Sequence, residues 1–379
     1  MIGPIVRRTA ATLMFALLLG SGAIAGPASA APTTLAPVSD DTPLSAYGGW
    51  VLWSERRPDG RWALTGWHDG AKSRLAVRSR AVPFDVDVGP DRAGKPVALY
   101  TRCARDPISA NGSTTTFWGP NGVPQWSLGA GCRIQRLNLT TGTEIQLPVP
   151  RTQGASDEAP SEWYGRIVFG RRTSGSDLTQ ILLWSPSSRR LRRLPGGHLP
   201  RNCPFRSGCK REPFDGDVLQ LDLGPLTLAL SWRAQAPAIY GVGVSLEIFA
   251  IDLRSTTRTL LSAGEFSGAC GALSTGSPNA AGAGVWFFEN SYDCEVVRTF
   301  VAFGDRKVWG QIDAAPDLLW QLARDGANLY SIRGSASASV EARDPPCTTG
   351  TDPCHLAVET TSLEAVPLVT GRHASPPFG

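Results

Sequence analysis

Residues Arg166–Leu194 read RIVFGRRTSGSDLTQILLWSPSSRRLRRL. An apolar run at Ile167, Val168 and Phe169 is followed by a polar turn and a second run from Ile181 to Trp184. A Ser-Pro-Ser-Ser turn then leads into the alternating pair Leu191 and Leu194. Short apolar or alternating runs bounded by Gly, Pro, Ser and Asp are strand signals, so the stretch predicts three strands joined by two hairpins.

The same form recurs along the chain. Strongly apolar strands are expected at Trp50 to Glu55, Val97 to Cys103, Arg166 to Arg172, Leu226 to Arg233, Gly284 to Asn290 and Ala327 to Arg333. Each is followed by a hairpin: Trp62 to Val77, Ile134 to Leu147, Ile181 to Leu194, Leu246 to Leu261, Val296 to Ile312, and Leu356 to Leu368 turning near Ser362. A short inner segment precedes each unit, clearest at Phe84 to Val88, Val218 to Leu223 and Leu318 to Leu322, and weak before Trp50, Arg166 and Gly284. Two of these segments nearly repeat each other, Asp87-Val88-Gly89-Pro90 and Asp222-Leu223-Gly224-Pro225. Helical periodicity is nowhere sustained, and 41 Gly with 30 Pro suit many turns. Four short strands per repeat at this spacing predict an all-β chain folded as a six-bladed β-propeller of four-stranded antiparallel blades.

The repeats resemble those of TolB-like propellers, distant relatives of WD-repeat propellers. The likeness is carried by Gly89-Pro90-Asp91 before Val97-Ala98-Leu99-Tyr100, by Arg324-Asp325-Gly326 before Leu329-Tyr330, and by Ile248-Phe249-Ala250-Ile251-Asp252 before Leu260-Leu261. The Ser-Pro-Asp-Gly turn usual in that family is nowhere intact, and Ser277-Pro278-Asn279 comes nearest to it.

Residues 1–30 have the form of an export signal: Arg7 and Arg8, an apolar stretch from Leu13 to Leu19, and small residues ending Ala28-Ser29-Ala30. The apolar stretch is shorter than the roughly 20 residues that cross a bilayer, so a secreted protein without a membrane span is expected. The arginine pair leaves both the general and the twin-arginine export routes open. Residues 31–45, rich in Ala, Pro, Thr and Asp, read as a flexible lead-in, although Thr33 to Val38 has the makings of an added edge strand. The propeller is expected over 46–372, with a tail at 373–379. Losing Arg7 and Arg8 takes the formal charge from +4 to +2. A chain so close to neutral lacks the basic stripe of a nucleic-acid binder. Its excess of Arg over Lys fits a GC-rich genome.

An even count of eight cysteines in an exported chain predicts disulfides. In a four-stranded meander the turns alternate between the two faces of the propeller. Cys103, Cys132, Cys203, Cys209, Cys270, Cys294, Cys347 and Cys354 then all fall on one face, with the long connections Ala104 to Gly131, Pro195 to Pro213 and Gly334 to His355. Loops of such length bind something or are disordered, and disulfides argue against disorder. Trp118 and Trp126 in the first of them, near Phe117 and Tyr100, are candidate anchors for a ligand, as is the basic group Arg201, Arg206, Lys210 and Arg211.

No catalytic residue is legible: neither Gly-x-Ser-x-Gly nor His-Glu-x-x-His occurs, and His68, His198, His355 and His373 lie far apart. The expectation is a monomeric binding or scaffold module that meets a protein or a cell-wall glycan through its stapled face, with no cofactor. The rival is a metal-dependent propeller enzyme, lactonase- or lyase-like. In it Asp85, Asp87, Asp91, Asp215, Asp217 and Asp222 would converge on Ca²⁺, which takes six to eight oxygens. A bridge needs Cα atoms within about 7 Å, and sequential partners meet that most simply. Peptide mapping without reduction is therefore expected to join Cys103 with Cys132, Cys203 with Cys209, Cys270 with Cys294 and Cys347 with Cys354. A crossed pair such as Cys103 with Cys270 would overturn the scheme.

Overall fold

The structure, a computed structural model, describes residues 33–38, 42–106, 108–109, 126–127, 129–173, 179–194, 216–238, 241–266, 272–282, 284–293, 296–304, 309–313, 318–326, 328–336 and 358–367. The export signal and the tail lie outside them. The chain begins with β1 (Thr33–Val38) and continues into a sheet of β2 (Ser45–Tyr47), β3 (Trp50–Arg56), β4 (Trp62–His68) and β5 (Ala71–Arg74). The second sheet holds β6 (Asp87–Pro90) and β7 (Pro96–Arg102), then, beyond the two-stranded ribbon of β8 (Ile108–Ser109) and β9 (Trp126–Ser127), β10 (Arg133–Asn138) and β11 (Glu144–Gln146). The third is β12 (Ser156–Trp163), β13 (Arg166–Arg172), β14 (Gln180–Ser185) and β15 (Arg190–Arg193). The fourth is β16 (Gly216–Leu223), β17 (Thr227–Ala238), β18 (Gly241–Asp252) and β19 (Arg258–Phe266). The fifth is β20 (Ala272–Ala281), β21 (Gly284–Asp293), β22 (Val296–Gly304) and β23 (Trp309–Asp313). The last runs β24 (Leu318–Asp325), β25 (Asn328–Ala336) and β26 (Val358–Pro367), and takes β1 as its outer strand.

These four-stranded antiparallel sheets are the blades of a β-propeller. The core is distributed between blades. Each of its apolar clusters draws on two consecutive sheets, as where Val97 and Leu99 meet Ile167 and Phe169, or Val168 and Ile181 meet Leu228 and Trp232. Side chains alternate across a strand, so β7 sends Val97 and Leu99 toward the third sheet and Ala98 and Tyr100 toward the first. Burial on both faces is why the second strand of each blade is a continuous apolar run. Truncating one such residue, Phe169→Ala, is expected to cost about 3–5 kcal/mol.

At the chain ends the edge strand forms as its sequence suggests, whereas the last hairpin does not. Residues 33–38 of the lead-in form β1, paired with β26 from Thr33↔Ala365 to Val38↔Thr361. Ala36 and Val38 point into a cluster shared with Val51 and Trp53 of the first sheet and Tyr330 and Ile332 of the last. Pro37 sits on an edge strand, where a missing N–H is tolerated. The expected hairpin from Leu356 to Leu368 is the single strand β26, and β1 supplies the fourth strand in its place. The chain's two ends are thereby joined by backbone hydrogen bonds. The weak inner segments before Trp50, Arg166 and Gly284 are strands β2, β12 and β20.

Burying a valine contributes about 1.5–3 kcal/mol, and the β1–β26 ladder adds to that. A chain starting at residue 41 is expected to unfold several degrees below the one retaining β1 and to bind more of an apolar dye. An unchanged midpoint would show that β1 does not hold the ends together.

Candidate functional site

The innermost strand of every blade is an edge strand, and its N–H groups need partners. Matching the inner strands puts Ser45, Asp87, Ser161, Asp222, Asn279 and Ala323 at equivalent places. The polar ones reach the next blade. Val88 N–H donates to Ser45 Oγ at 2.8 Å and Leu223 N–H to Ser161 Oγ at 2.8 Å. Ala280 N–H donates to Asp222 Oδ2 at 2.6 Å and Arg324 N–H to Asn279 Oδ1 at 3.1 Å. The Glu162 amide bears on Asp87 in the same way, and the Ser45 hydroxyl donates to Asp87 Oδ1 at 2.9 Å. Ser45, Asp87, Ser161 and Asn279 are buried and Asp222 is half-buried.

Two residues further along, Gly89 and Gly224 explain the near-repeat Asp-x-Gly-Pro. A Cβ on Gly89 would lie 2.0 Å from the Glu162 carbonyl oxygen, and one on Gly224 would lie 2.9 Å from Ala280 Cβ. Asp takes the neighbour's amide, and Gly lets that neighbour approach. Bulges shape the inner strands just upstream. β12 slips between Glu158 and Ser161 and β20 between Gly276 and Asn279, with Ala159 and Ser277 at positive φ and Pro160 and Pro278 following. Ser277-Pro278-Asn279 is thus a bulge inside an inner strand, not a turn before an apolar one.

Of the acidic residues considered for a cation, Asp85, Asp87, Asp91 and Asp222 have other partners, while Asp215 and the side chain of Asp217 lie outside the described residues. Asp85 pairs with Arg80 Nη1 at 2.9 Å and accepts from Thr101 N and Oγ1 at 2.9 and 2.6 Å. Asp91 caps its own turn, accepting from the amides of Ala93 and Lys95 at 2.8 Å each. Asp87 and Asp222 belong to the ring of inner-strand bonds. No three His, Cys, Asp or Glu among the described residues gather as cation ligands would.

Burial pushes the Asp87 carboxyl up to about 6, against the hydroxyls of Ser161 and Ser45 and the amides of Glu162 and Val88. Glu162 is raised to about 7 by burial, with Asp91 and Asp87 adding to the rise and Arg136, 2.9 Å away, opposing it. Asp222 is raised by burial and then by the nearby Asp87 charge, while the Ala280 amide and Arg324 oppose the rise. Asp87 Oδ2 and Glu162 Oε2 find no hydrogen-bond partner among the described residues.

At the end of the ring formed by the short turns between first and second strands, aromatic side chains collect. Tyr47 and Trp163 lie 5.9 Å apart at 80°, and Trp163 and Tyr164 lie 5.4 Å apart at 72°. Asp325 Oδ2 accepts from Gly49 N–H at 2.7 Å beside them. Neither Tyr47, Trp163, Tyr164 nor Asp325 was expected to act as a site. The signal available was their register: all but Tyr164 stand two places after the bonding position of their strand.

On the opposite face Cys103 is bonded to Cys132, as the sequential scheme predicts. Above the disulfide the hairpin continues through the Arg105↔Ala130 bridge to β8 and β9, which contains Trp126. Its foot is fastened to the third blade: Arg151 Nη2 donates to Cys132 O at 2.7 Å and Ala155 O at 3.0 Å. Trp118, Arg201, Arg206, Lys210, Arg211 and the remaining six cysteines lie outside the described residues, as does the side chain of Trp126.

No protein-family profile matches the chain, and no curated protein does. Among solved structures, TolB from Acinetobacter baumannii is similar over 85% of this chain and 64% of its own length, at 13% identity and a TM-score of 0.41. The chain thus spans less than two thirds of that protein. A nidogen/laminin complex is similar over 79% of this chain and 92% of that one, at 11% identity and a TM-score of 0.40. The SapL1 lectin in complex with alpha methyl fucoside is similar over 80% and 92%, at 9% identity and a TM-score of 0.38. The propeller itself is read from the sheet topology.

The raised carboxyls fix a sign. A carboxyl whose folded value lies above its ordinary value near 4 favours the folded state below pH 4 and loses that contribution as pH climbs through 6 and 7. Asp87→Asn keeps an acceptor for the ring and removes the charge. It is expected to leave the unfolding midpoint at pH 3.5 nearly unchanged and to raise stability at pH 8 by on the order of 3 kcal/mol. A loss of stability at pH 8 would show the ionised form to be the one the ring needs.

Proposed function

We propose that this chain is a secreted β-propeller binding module, closed as a six-bladed ring by β1. It recognises a protein or a cell-wall glycan through the face that carries the long connections. The observation that supports the reading most directly is the stapled hairpin of the second blade. A disulfide, a backbone bridge and the two hydrogen bonds from Arg151 hold the foot of a long excursion rigidly above the blade. An excursion fixed at its foot and carrying aromatic residues costs little further ordering when it binds, which is the economy of a recognition loop. No described helix is long and apolar enough to cross a membrane. The chain acts as a monomer delivered by its N-terminal signal, and the carboxylates of the inner strands hold blades together instead of holding a metal.

The test is retention of purified mature protein on isolated cell walls and on immobilised cell-surface protein. Replacing Trp118 and Trp126 together by alanine is expected to abolish retention with an unfolding midpoint within about 2 °C of the parent, because most surface changes move stability by less than roughly 0.5 kcal/mol. Undiminished retention by that variant would remove the hairpin from the binding surface.

A further inference from the structure

The other face carries a feature that binding through the stapled loops leaves unused. Strand alternation puts Tyr47, Gly89, Trp163, Gly224, Ala281 and Asp325 at equivalent positions of the inner strands, two residues beyond the bonding ring and at the short-turn end of the central channel. Tyr47 and Trp163 come from the first and third blades. They meet because the second blade offers only Gly89 between them. Gly224 and Ala281, from the fourth and fifth blades, put no more than a methyl group at the same level.

The rings stand nearly perpendicular, at 80° and 72°. Such walls form a corner, whereas a flat sugar ring stacks on one open aromatic face. A corner of π faces suits a compact cation. Asp325, held by Gly49 N–H, supplies the charge beside it; its carboxylate and the Tyr164 hydroxyl both act on the Tyr47 hydroxyl. Burial lowers the Arg324 guanidinium, and the charges of Asp222 and Asp325 oppose that fall. Even so, no cationic side chain among the described residues lies within ion-pair distance of Asp325.

Tyr164 adds an independent observation. It occupies the first place of a two-residue turn at φ 48°, followed by Gly165 at φ 74°, and is 51% exposed. Asn or Gly fits that left-handed position with less strain than a bulky ring. An exposed aromatic kept where the backbone disfavours it gains in return its contacts with Trp163, the Tyr47 hydroxyl and the Gly94 turn.

The geometry points to a second binding site, an aromatic corner of Tyr47, Trp163 and Tyr164 with the Asp325 carboxylate, that takes an organic ammonium group at the channel mouth. The ammonium belongs either to a free methylated amine or to a lysine side chain of a polypeptide.

The mature full-length protein is titrated calorimetrically with tetramethylammonium chloride, with a lysine-containing tripeptide, and with neopentyl alcohol as the neutral counterpart of the same shape, all at one ionic strength. Saturable binding of tetramethylammonium or of the tripeptide is expected, the stronger of the two naming the source, with none for the alcohol. Asp325→Asn, which keeps an acceptor for Gly49, and Tyr164→Asn are each expected to weaken binding at least tenfold. Tyr164→Asn should unfold at the same temperature as the parent or higher. Trp163→Ala repeats the loss if it folds. Equal binding of the alcohol, no saturable binding of either cation, or unchanged affinity in Asp325→Asn and Tyr164→Asn would overturn the assignment. Retention through the stapled face is measured separately on the same variants and should not change.

Discussion

A blade's inner strand has one edge in its own sheet and one edge with no ladder to join, and every other feature of this molecule depends on how that second edge is satisfied. An unpaired buried N–H costs about as much as a lost hydrogen bond, roughly 1–3 kcal/mol. The chain meets that cost with short polar side chains. Ser45, Ser161, Asp222 and Asn279 each accept one amide from the following blade, and Asp87 lies against the amide of Glu162. Each bond is local, yet in sequence it joins residues some 40 to 60 positions apart. The arrangement fixes the height of one blade against the next, which the apolar clusters between blades, being non-directional, do not.

Using carboxylates for this purpose has a consequence in charge. Asp87 and Glu162 are buried with the half-buried Asp222 near them, and each raises or is raised by another. Serine or asparagine at the same places would satisfy the amides with no charge to bury, as they do in three of the blades. Asp brings two acceptor oxygens instead of one, and Asp87 uses Oδ1 to take the Ser45 hydroxyl while that hydroxyl takes Val88 N–H. The result is a chain of hydrogen bonds, mutually polarising, whose strength depends on which carboxyl carries a proton.

The second strands were legible because burial on both faces writes them as unbroken apolar runs, and Val97-Ala98-Leu99-Tyr100 is such a run. Hairpins were legible from Asp69-Gly70 and Thr140-Thr141-Gly142. Inner strands β2, β12 and β20 were not, since their residues alternate between core and polar ring, and two of them are broken by a proline at a bulge. The repeat of Asp-x-Gly-Pro was visible, but its meaning was not: it reads as turn chemistry or as cation ligands until the next blade's amide is seen in place. Thr33 to Val38 was legible as an edge strand but not its place: six residues of Thr, Ala, Pro, Leu and Val resemble a linker in composition, and only the partner strand at the far end of the chain gives them a register. The aromatic corner was invisible for a related reason. Tyr47 and Trp163 are 116 positions apart by number and share only a register position.

The junction between the last blade and the first differs from the others. Ala323 stands where Ser, Asp or Asn stands elsewhere, so no side chain there can take the amide of Ala46. The bond moves two residues along the strand instead: Asp325 accepts Gly49 N–H at 2.7 Å, nearer the mouth of the channel. The strand pair β1–β26 closes the outer edge of the same blade, so the inner edge there needs less from a polar side chain. Closing the ring in this way, with the fastening moved outward on one side and toward the mouth on the other, is what brings a carboxylate up beside Tyr47. The corner is therefore tied to closure: a chain that bonded at position 323, as the other junctions do, would have no reason to hold a carboxylate among the rings.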